Sequence, residues 1–246
     1  IRNMIKMKKN HQPILKHRVV NASPQHQEAL IDTLTGHQDA IESLAFKPDG
    51  STLASADYAG EIILWDVKLR QSIKQLTDHE DTAWSIAFSV DGKTLATSSD
   101  DGTIKLWNTD TDQLQSTLIN DPRKDKTVAF TADGQTLLSY SSDDKTIEYR
   151  DVTTGQLKDK LLDSHDPLDV VFVNSHSNSL VSTSVQHIIV WGIEKKSIQK
   201  KFMAHEEDIA GLGFSKNGEL LASSSWDDTI KIWDSRTGTL LHTIEL

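Results

Sequence analysis

The sequence predicts an all-β fold in which one four-stranded unit is repeated five times. Three observations carry this. Five of the six phenylalanines, Phe46, Phe88, Phe130, Phe172 and Phe214, stand 42 residues apart. A fixed period of about 40–45 residues marks a supersecondary unit repeated in space. Three residues after four of them comes a hairpin dipeptide, Asp49-Gly50, Asp91-Gly92, Asp133-Gly134 or Asn217-Gly218. Between such turns the chain runs in short apolar segments, with turn signals at about 8–12-residue spacing and no helical period.

The elements follow in order. The first run of each unit ends at its phenylalanine. The second is an apolar pair or triplet closing on a hydroxyl: Leu53-Ala54-Ser55, Leu95-Ala96-Thr97, Leu137-Leu138-Ser139, Leu180-Val181-Ser182 and Leu221-Ala222-Ser223. The third ends in an aromatic in four units, at Trp65, Trp107, Trp191 and Trp233. The fourth ends at Leu76, Leu118, Leu161, Phe202 or Ile244, and a sixth run of this kind ends at Leu34 ahead of the first unit. Four short strands per unit argue for small antiparallel sheets set radially, each buried between its neighbours. The fourth unit has Ser175-His176 in place of its first turn dipeptide.

Composition narrows function. The chain of 246 residues is 37% hydrophobic and 25% charged, has no cysteine, and carries a formal net charge of −10. Disulfides, thiolate metal sites and thiol chemistry are excluded. Residues 1–30 hold six bases (Arg2, Lys6, Lys8, Lys9, Lys16, Arg18) against Glu28, so the rest of the chain carries −15. An acidic body is a poor surface for nucleic acid, whose phosphates require clustered positive charge. No apolar run has spanning length and the first twenty residues lack a leader's apolar stretch. The expectation is a cytoplasmic protein whose basic N-terminal segment (residues 1–30) is a tail, a linker or a degenerate part of a preceding unit, making no contact with nucleic acid or membrane.

On these motifs the chain resembles the WD-repeat β-propeller family over residues 31–246. The resemblance rests on Gly36-His37 with its counterparts Asp78-His79 and Ala204-His205, on the Phe-x-x-Asp-Gly segments, and on Trp65-Asp66, Trp107-Asn108 and Trp233-Asp234. The closeness of the copies to one another is similar to bacterial members. The implied fold is a propeller of four-stranded antiparallel blades with five full repeats, at about 34–75, 76–117, 118–160, 161–201 and 202–246, plus an extra N-terminal outer strand. The family usually closes with seven blades, so the surplus strand reads as a fragment of a seven-bladed ring, with a five-bladed ring as the alternative.

The resemblance also implies a hydrogen-bonded set in each blade: Trp to Ser/Thr to His to a turn Asp. Two copies are complete, His79, Thr97, Asp101, Trp107 and His205, Ser223, Asp227, Trp233. The first copy has His37, Ser55 and Trp65, but Ala59 stands where the Asp belongs and Asp57 comes two residues early. The third keeps Ser139 and Asp144 with Asp121 for His and Arg150 for Trp. The fourth keeps Ser182 and Trp191 with Val185 for Asp and His165 out of phase. Blades three and four are therefore expected to be the less stable part of the array.

A Ser-His-Asp set invites a hydrolase reading. Its recurrence in several units, with Trp as a fixed fourth member, argues for a structural role instead, since an active site is built once. No catalytic residue, metal site or cofactor is assigned. Two tryptophans lie outside the repeat's core positions: Trp84, at the start of a first strand, and Trp226, just before Asp227. Tyr58 and Asp100 precede their own turns in the same way, and Lys124 and Lys126 occupy the start of the third unit. By resemblance these positions open on the face that propellers use for partners, and exposed aromatics make good anchors. The expected function is a non-enzymatic protein-interaction scaffold. The alternatives are a regulatory domain of a larger bacterial signalling protein and, third, a propeller enzyme.

Overall fold

The computed structural model describes residues 33–119, 125–141, 146–162, 171–174, 179–193, 195, 197–215 and 217–245. Every regular element among them is a strand. Blade one is β1 (Ile41–Phe46), β2 (Thr52–Asp57), β3 (Ile62–Asp66) and β4 (Gln71–Leu76). Blade two is β5 (Ala83–Phe88), β6 (Thr94–Ser99), β7 (Thr103–Asn108) and β8 (Gln113–Ile119). Blade three is β9 (Asp125–Phe130), β10 (Thr136–Ser141), β11 (Thr146–Asp151) and β12 (Leu157–Leu162). Blade four is β13 (Val171–Asn174), β14 (Ser179–Ser184), β15 (His187–Gly192) and β16 (Ser197–Met203). Blade five is β17 (Ile209–Phe214), β18 (Leu220–Ser225), β19 (Thr229–Asp234) and β20 (Leu240–Glu245).

Each blade is an antiparallel sheet in simple chain order, and the five are the blades of a β-propeller. Their first strands lie side by side, β1 on β5, β5 on β9, β9 on β13 and β13 on β17. Short runs joined by Asp-Gly turns suit this meander. Gly50, Gly92, Gly134 and Gly218 all take positive φ in the first turn, which a β-carbon disfavours.

Side chains alternate across each sheet, so one strand serves two junctions. Ala54, Ala56, Ile62, Leu64 and Leu76 of blade one face Ala83, Ile86, Leu95 and Trp107 of blade two. Ala96, Ile104, Leu106 and Leu118 of blade two face Val128, Phe130 and Leu137 of blade three. The same pairing joins blade three to four and four to five. The core is thus a set of inter-blade layers. Amide–hydroxyl bonds stitch the inner strands across blades, Ile86 N to Ser43 Oγ and Val128 N to Ser85 Oγ, both 3.2 Å.

The phenylalanine ladder predicts five equivalent core positions, and the structure departs from it at the first. Phe130 is 6% exposed, whereas Phe46 is 58% exposed. Both point toward the preceding blade, and among the described residues no blade lies on that side of β1. Blade five shows the mirror image: Ile230 and Ile232 are half-buried and Ile244 is exposed, where their counterparts Ile62, Leu64 and Leu76 are buried. The surplus outer strand expected to end at Leu34 falls largely outside the described residues, and Thr33 and Leu34 themselves are not in a strand.

Candidate functional site

Two features of each blade position the candidate residues. One is the hydrogen-bonded column inside the sheet; the other is the rim where the first strand starts and the second turns into the third.

In blade two, Trp107 Nε1 donates to Thr97 Oγ1 at 3.0 Å, and Thr97 Oγ1 lies 2.7 Å from His79 Nε2. His79 Nδ1 is 2.8 Å from Asp101 Oδ2, and Asp101 Oδ1 accepts from Thr103 N and Oγ1 at 2.8 and 2.6 Å. Blade five repeats this with Trp233, Ser223, His205, Asp227 and Thr229 at 2.7–3.0 Å. Burial drives the His79 and His205 pKa values below the ordinary histidine value, against the pull of their aspartates. Burial pushes Asp101 and Asp227 upward, but hydrogen bonds from Thr103 and Thr229, and from the histidines, outweigh it and hold both below the carboxylate range. The column is therefore a neutral imidazole between an ionised carboxylate and a hydroxyl.

Blade one differs from the sequence expectation. Ala59 does stand at the usual Asp position, yet His37 does not lose its carboxylate. Asp57, at the end of β2, supplies Oδ2 at 2.8 Å from His37 Nδ1. Its Oδ1 accepts from Ala59 N and Glu61 N at 3.0 and 2.8 Å. The other half of the column is intact, with His37 Nε2 2.5 Å from Ser55 Oγ and Trp65 Nε1 2.7 Å from it. The aspartate has moved two residues along the chain while its carboxylate stays in place. The turn keeps its shape: Gly60 takes φ +84°, as Gly102 and Asp228 take positive φ at the same place in blades two and five.

In blade four Trp191 Nε1 donates to Ser182 Oγ at 2.8 Å. In blade three Arg150 takes the place of the tryptophan. Ser139 Oγ is buried with no hydrogen-bond partner among the described residues. Arg150 pairs with Leu137 across the strands, as Trp107 does with Leu95, and turns its guanidinium to Glu148, which Lys160 also approaches. Asp121, Asp144, His165 and Lys124 lie outside the described residues, as does the side chain of Lys126.

The rim has a device that the repeat pattern did not reveal. The pairing of first and second strands slips by one residue between Ile41 and Ser43, Ala83 and Ser85, and Ile209 and Gly211. The residues left over are Glu42, Trp84 and Ala210, one equivalent position in three blades; β9 slips likewise at its own start. A bulge re-aims the side chain it carries. Tyr58, Asp100 and Trp226 occupy a second shared position, their amides donating to Ala40 O, Thr82 O and Asp208 O at 2.9–3.0 Å. The two positions meet between blades one and two. Tyr58 and Trp84 pack edge to face, centroids 6.5 Å apart at 83°, and Thr82 Oγ1 donates to Tyr58 O at 3.0 Å. Tyr58 is exposed, and Trp84, Asp100 and Trp226 are half-buried. Glu42 sits on this rim with Oε2 buried and unpaired among the described residues; burial and the nearby Asp39 raise its pKa.

The comparisons fit this geometry. Residues 28–66, 70–108 and 196–234, together just under half of the chain, match the model of the family described as WD domain, G-beta repeat. The stretch between the second and third matches holds blade three and the first three strands of blade four, where the column is altered. Among curated proteins the chain is similar to "Periodic tryptophan protein 2 homolog" of Schizosaccharomyces pombe, 40% identical over 53 residues, 21% of this chain and 6% of that protein. It is similar to "Ribosome biogenesis protein YTM1" of Candida glabrata, 31% identical over 108 residues, 42% of this chain and 24% of that protein. It is also similar to "COMPASS component SWD3" of Saccharomyces cerevisiae, 44% identical over 43 residues, 18% of this chain and 14% of that protein. The chain thus matches under a quarter of the length of these relatives. All three are eukaryotic and give no support to the bacterial affinity expected from the sequence. The five-bladed all-β architecture and the Trp–hydroxyl–His–carboxylate columns agree with the three segments that match the WD domain, G-beta repeat model.

Proposed function

We propose that the protein is a non-enzymatic scaffold that holds partner proteins or peptides on the rim carrying Tyr58, Trp84, Asp100 and Trp226. The observation that supports this best is the bulge at Trp84. It sets a large aromatic against exposed Tyr58 at a junction between blades, where a partner can bury wide area at low entropy cost. The columns serve this function indirectly, since they fix the turns from which Asp100 and Trp226 project. Their recurrence in three blades, and the trapping of each histidine between two fixed partners, favour structure over catalysis. Two of the relatives carry names that fit work within assemblies, a ribosome biogenesis protein and a COMPASS component. None of the relatives supports the bacterial signalling alternative, and their names do not favour a cytoplasmic location.

The test is quantitative affinity capture with three proteins: the wild type, a Tyr58→Ala, Trp84→Ala variant, and an Arg236→Ala control at the opposite end of blade five. Partners are expected to be lost from the double variant and kept by the control, with unchanged circular dichroism. Retention of the same partners by a folded double variant would place the contact elsewhere.

A further inference from the structure

Blade one has a feature that blades two and five lack. In blades two and five the turn between second and third strands reads Ser99, Asp101, Thr103 and Ser225, Asp227, Thr229; in blade one the same places hold Asp57, Ala59 and Glu61. The threonine that elsewhere caps the aspartate has become a second carboxylate. Glu61 Oε2 lies 3.8 Å from His37 Nδ1, the nitrogen already paired with Asp57 Oδ2 at 2.8 Å. His37 Nδ1, Asp57 Oδ2 and Glu61 Oε2 all fall within 4.8 Å of one another. The side chains of His37 and Asp57 are 5% and 1% exposed and that of Glu61 20%. The Glu61 carboxylate is thus largely buried, yet among the described residues it makes no hydrogen bond. Two carboxylates on one imidazole nitrogen make an arrangement that a single proton satisfies poorly and a cation satisfies well.

We infer that His37, Asp57 and Glu61 form a binding site for a divalent transition-metal ion of the zinc class. One imidazole and two carboxylates are a donor set such ions take, with the remaining position left to water. Bonds of about 2.0–2.2 Å to a tetrahedral ion put neighbouring donors roughly 3.3–3.5 Å apart. The 2.8 Å contact therefore opens and the 3.8 Å contact closes, each by about half an ångström. Glu61, on the partly exposed side, is the arm that moves. Asp57 is held for the task by the two amides on its Oδ1.

The column accommodates the change of tautomer. Without metal, His37 donates from Nδ1 to Asp57 and accepts at Nε2 from the Ser55 hydroxyl. With metal, Nδ1 offers its lone pair and the ring proton sits on Nε2, donating to Ser55 Oγ. The Ser55 hydroxyl then donates to Ile63 O, 3.4 Å away, and still accepts from Trp65. In both tautomers every proton has an acceptor, and Ser55 acts as the partner that orients a ligating histidine.

The test uses the full chain, zinc chloride as probe, and a Glu61→Thr variant that restores the residue found in blades two and five. Titration calorimetry is expected to show wild-type zinc binding that weakens at least tenfold in Glu61→Thr. The melting temperature should rise with zinc in the wild type only, while the two metal-free proteins melt together. Imidazole nitrogen-15 shifts should report His37 passing from the Nδ1–H to the Nε2–H form as zinc is added. Zinc that leaves the wild type unmoved, or that binds Glu61→Thr equally well, or that leaves the His37 tautomer unchanged, overturns the assignment.

Discussion

At the residue scale the columns separate two kinds of hydroxyl. Thr97 serves both Trp107 and His79 inside the sheet, so removing its oxygen orphans two buried groups. Thr97→Val should cost about 2–4 kcal/mol, the penalty for leaving buried polar atoms unpaired. Ser139 is the counter-case: its oxygen is buried and already unpaired among the described residues. Ser139→Ala should be neutral or slightly stabilising, and urea unfolding of the two variants measures the contrast directly. The histidines add a pH dependence. His79 and His205 titrate below 6.5 when folded, so the unfolded chain binds their protons first as the pH falls. Their contribution is complete above that value and is lost progressively on acidification. The urea midpoint should fall between about pH 7.5 and pH 5.5, and a His79→Asn, His205→Asn variant should show a flatter profile. An unchanged wild-type midpoint over that range would contradict the neutral assignment.

At the scale of the element, what the sequence made legible was what repeats. The strand runs, the Asp-Gly turns and the four core tryptophans could be phased from a 42-residue period, because each takes the same place in the strand pairing of every blade that holds it. Features that depend on geometry rather than phase were hidden. Asp57 looked misplaced by two residues, yet a side chain at the strand end reaches the same point as one in the turn. The bulges at Glu42 and Trp84 leave no mark in composition, since any residue can occupy a slip in register. Blade three shows the limit of a motif. Where Trp and His are replaced, Arg150, Glu148 and Lys160 form a charged cluster on the strands instead. Such a cluster, partly open to water, stabilises less than a sealed column. Amide hydrogen exchange should find β10 and β11 less protected than β6 and β7; equal protection would show that the column is dispensable for local stability.

At the scale of the whole molecule, stability is a sum over blades and the layers between them. A phenylalanine at one repeat position therefore has a value set by its neighbours. Phe130→Ala, inside the layer between blades two and three, should cost about 3–5 kcal/mol. Phe46→Ala, on the open side of blade one, should cost a small fraction of that. Thermal unfolding of the two variants checks the difference.

The open faces carry a further consequence. Leu44 and Phe46 at one end and Ile230, Ile232 and Ile244 at the other are the two complementary halves of the joint that the interior makes four times. Among the described residues the array is thus directional, with a plug at one end and a socket at the other. Contact of this head-to-tail kind does not close on itself unless the rotation is right. Light scattering should show association that grows with concentration and falls in Phe46→Ser, whose hydroxyl spoils the plug while leaving the blade folded.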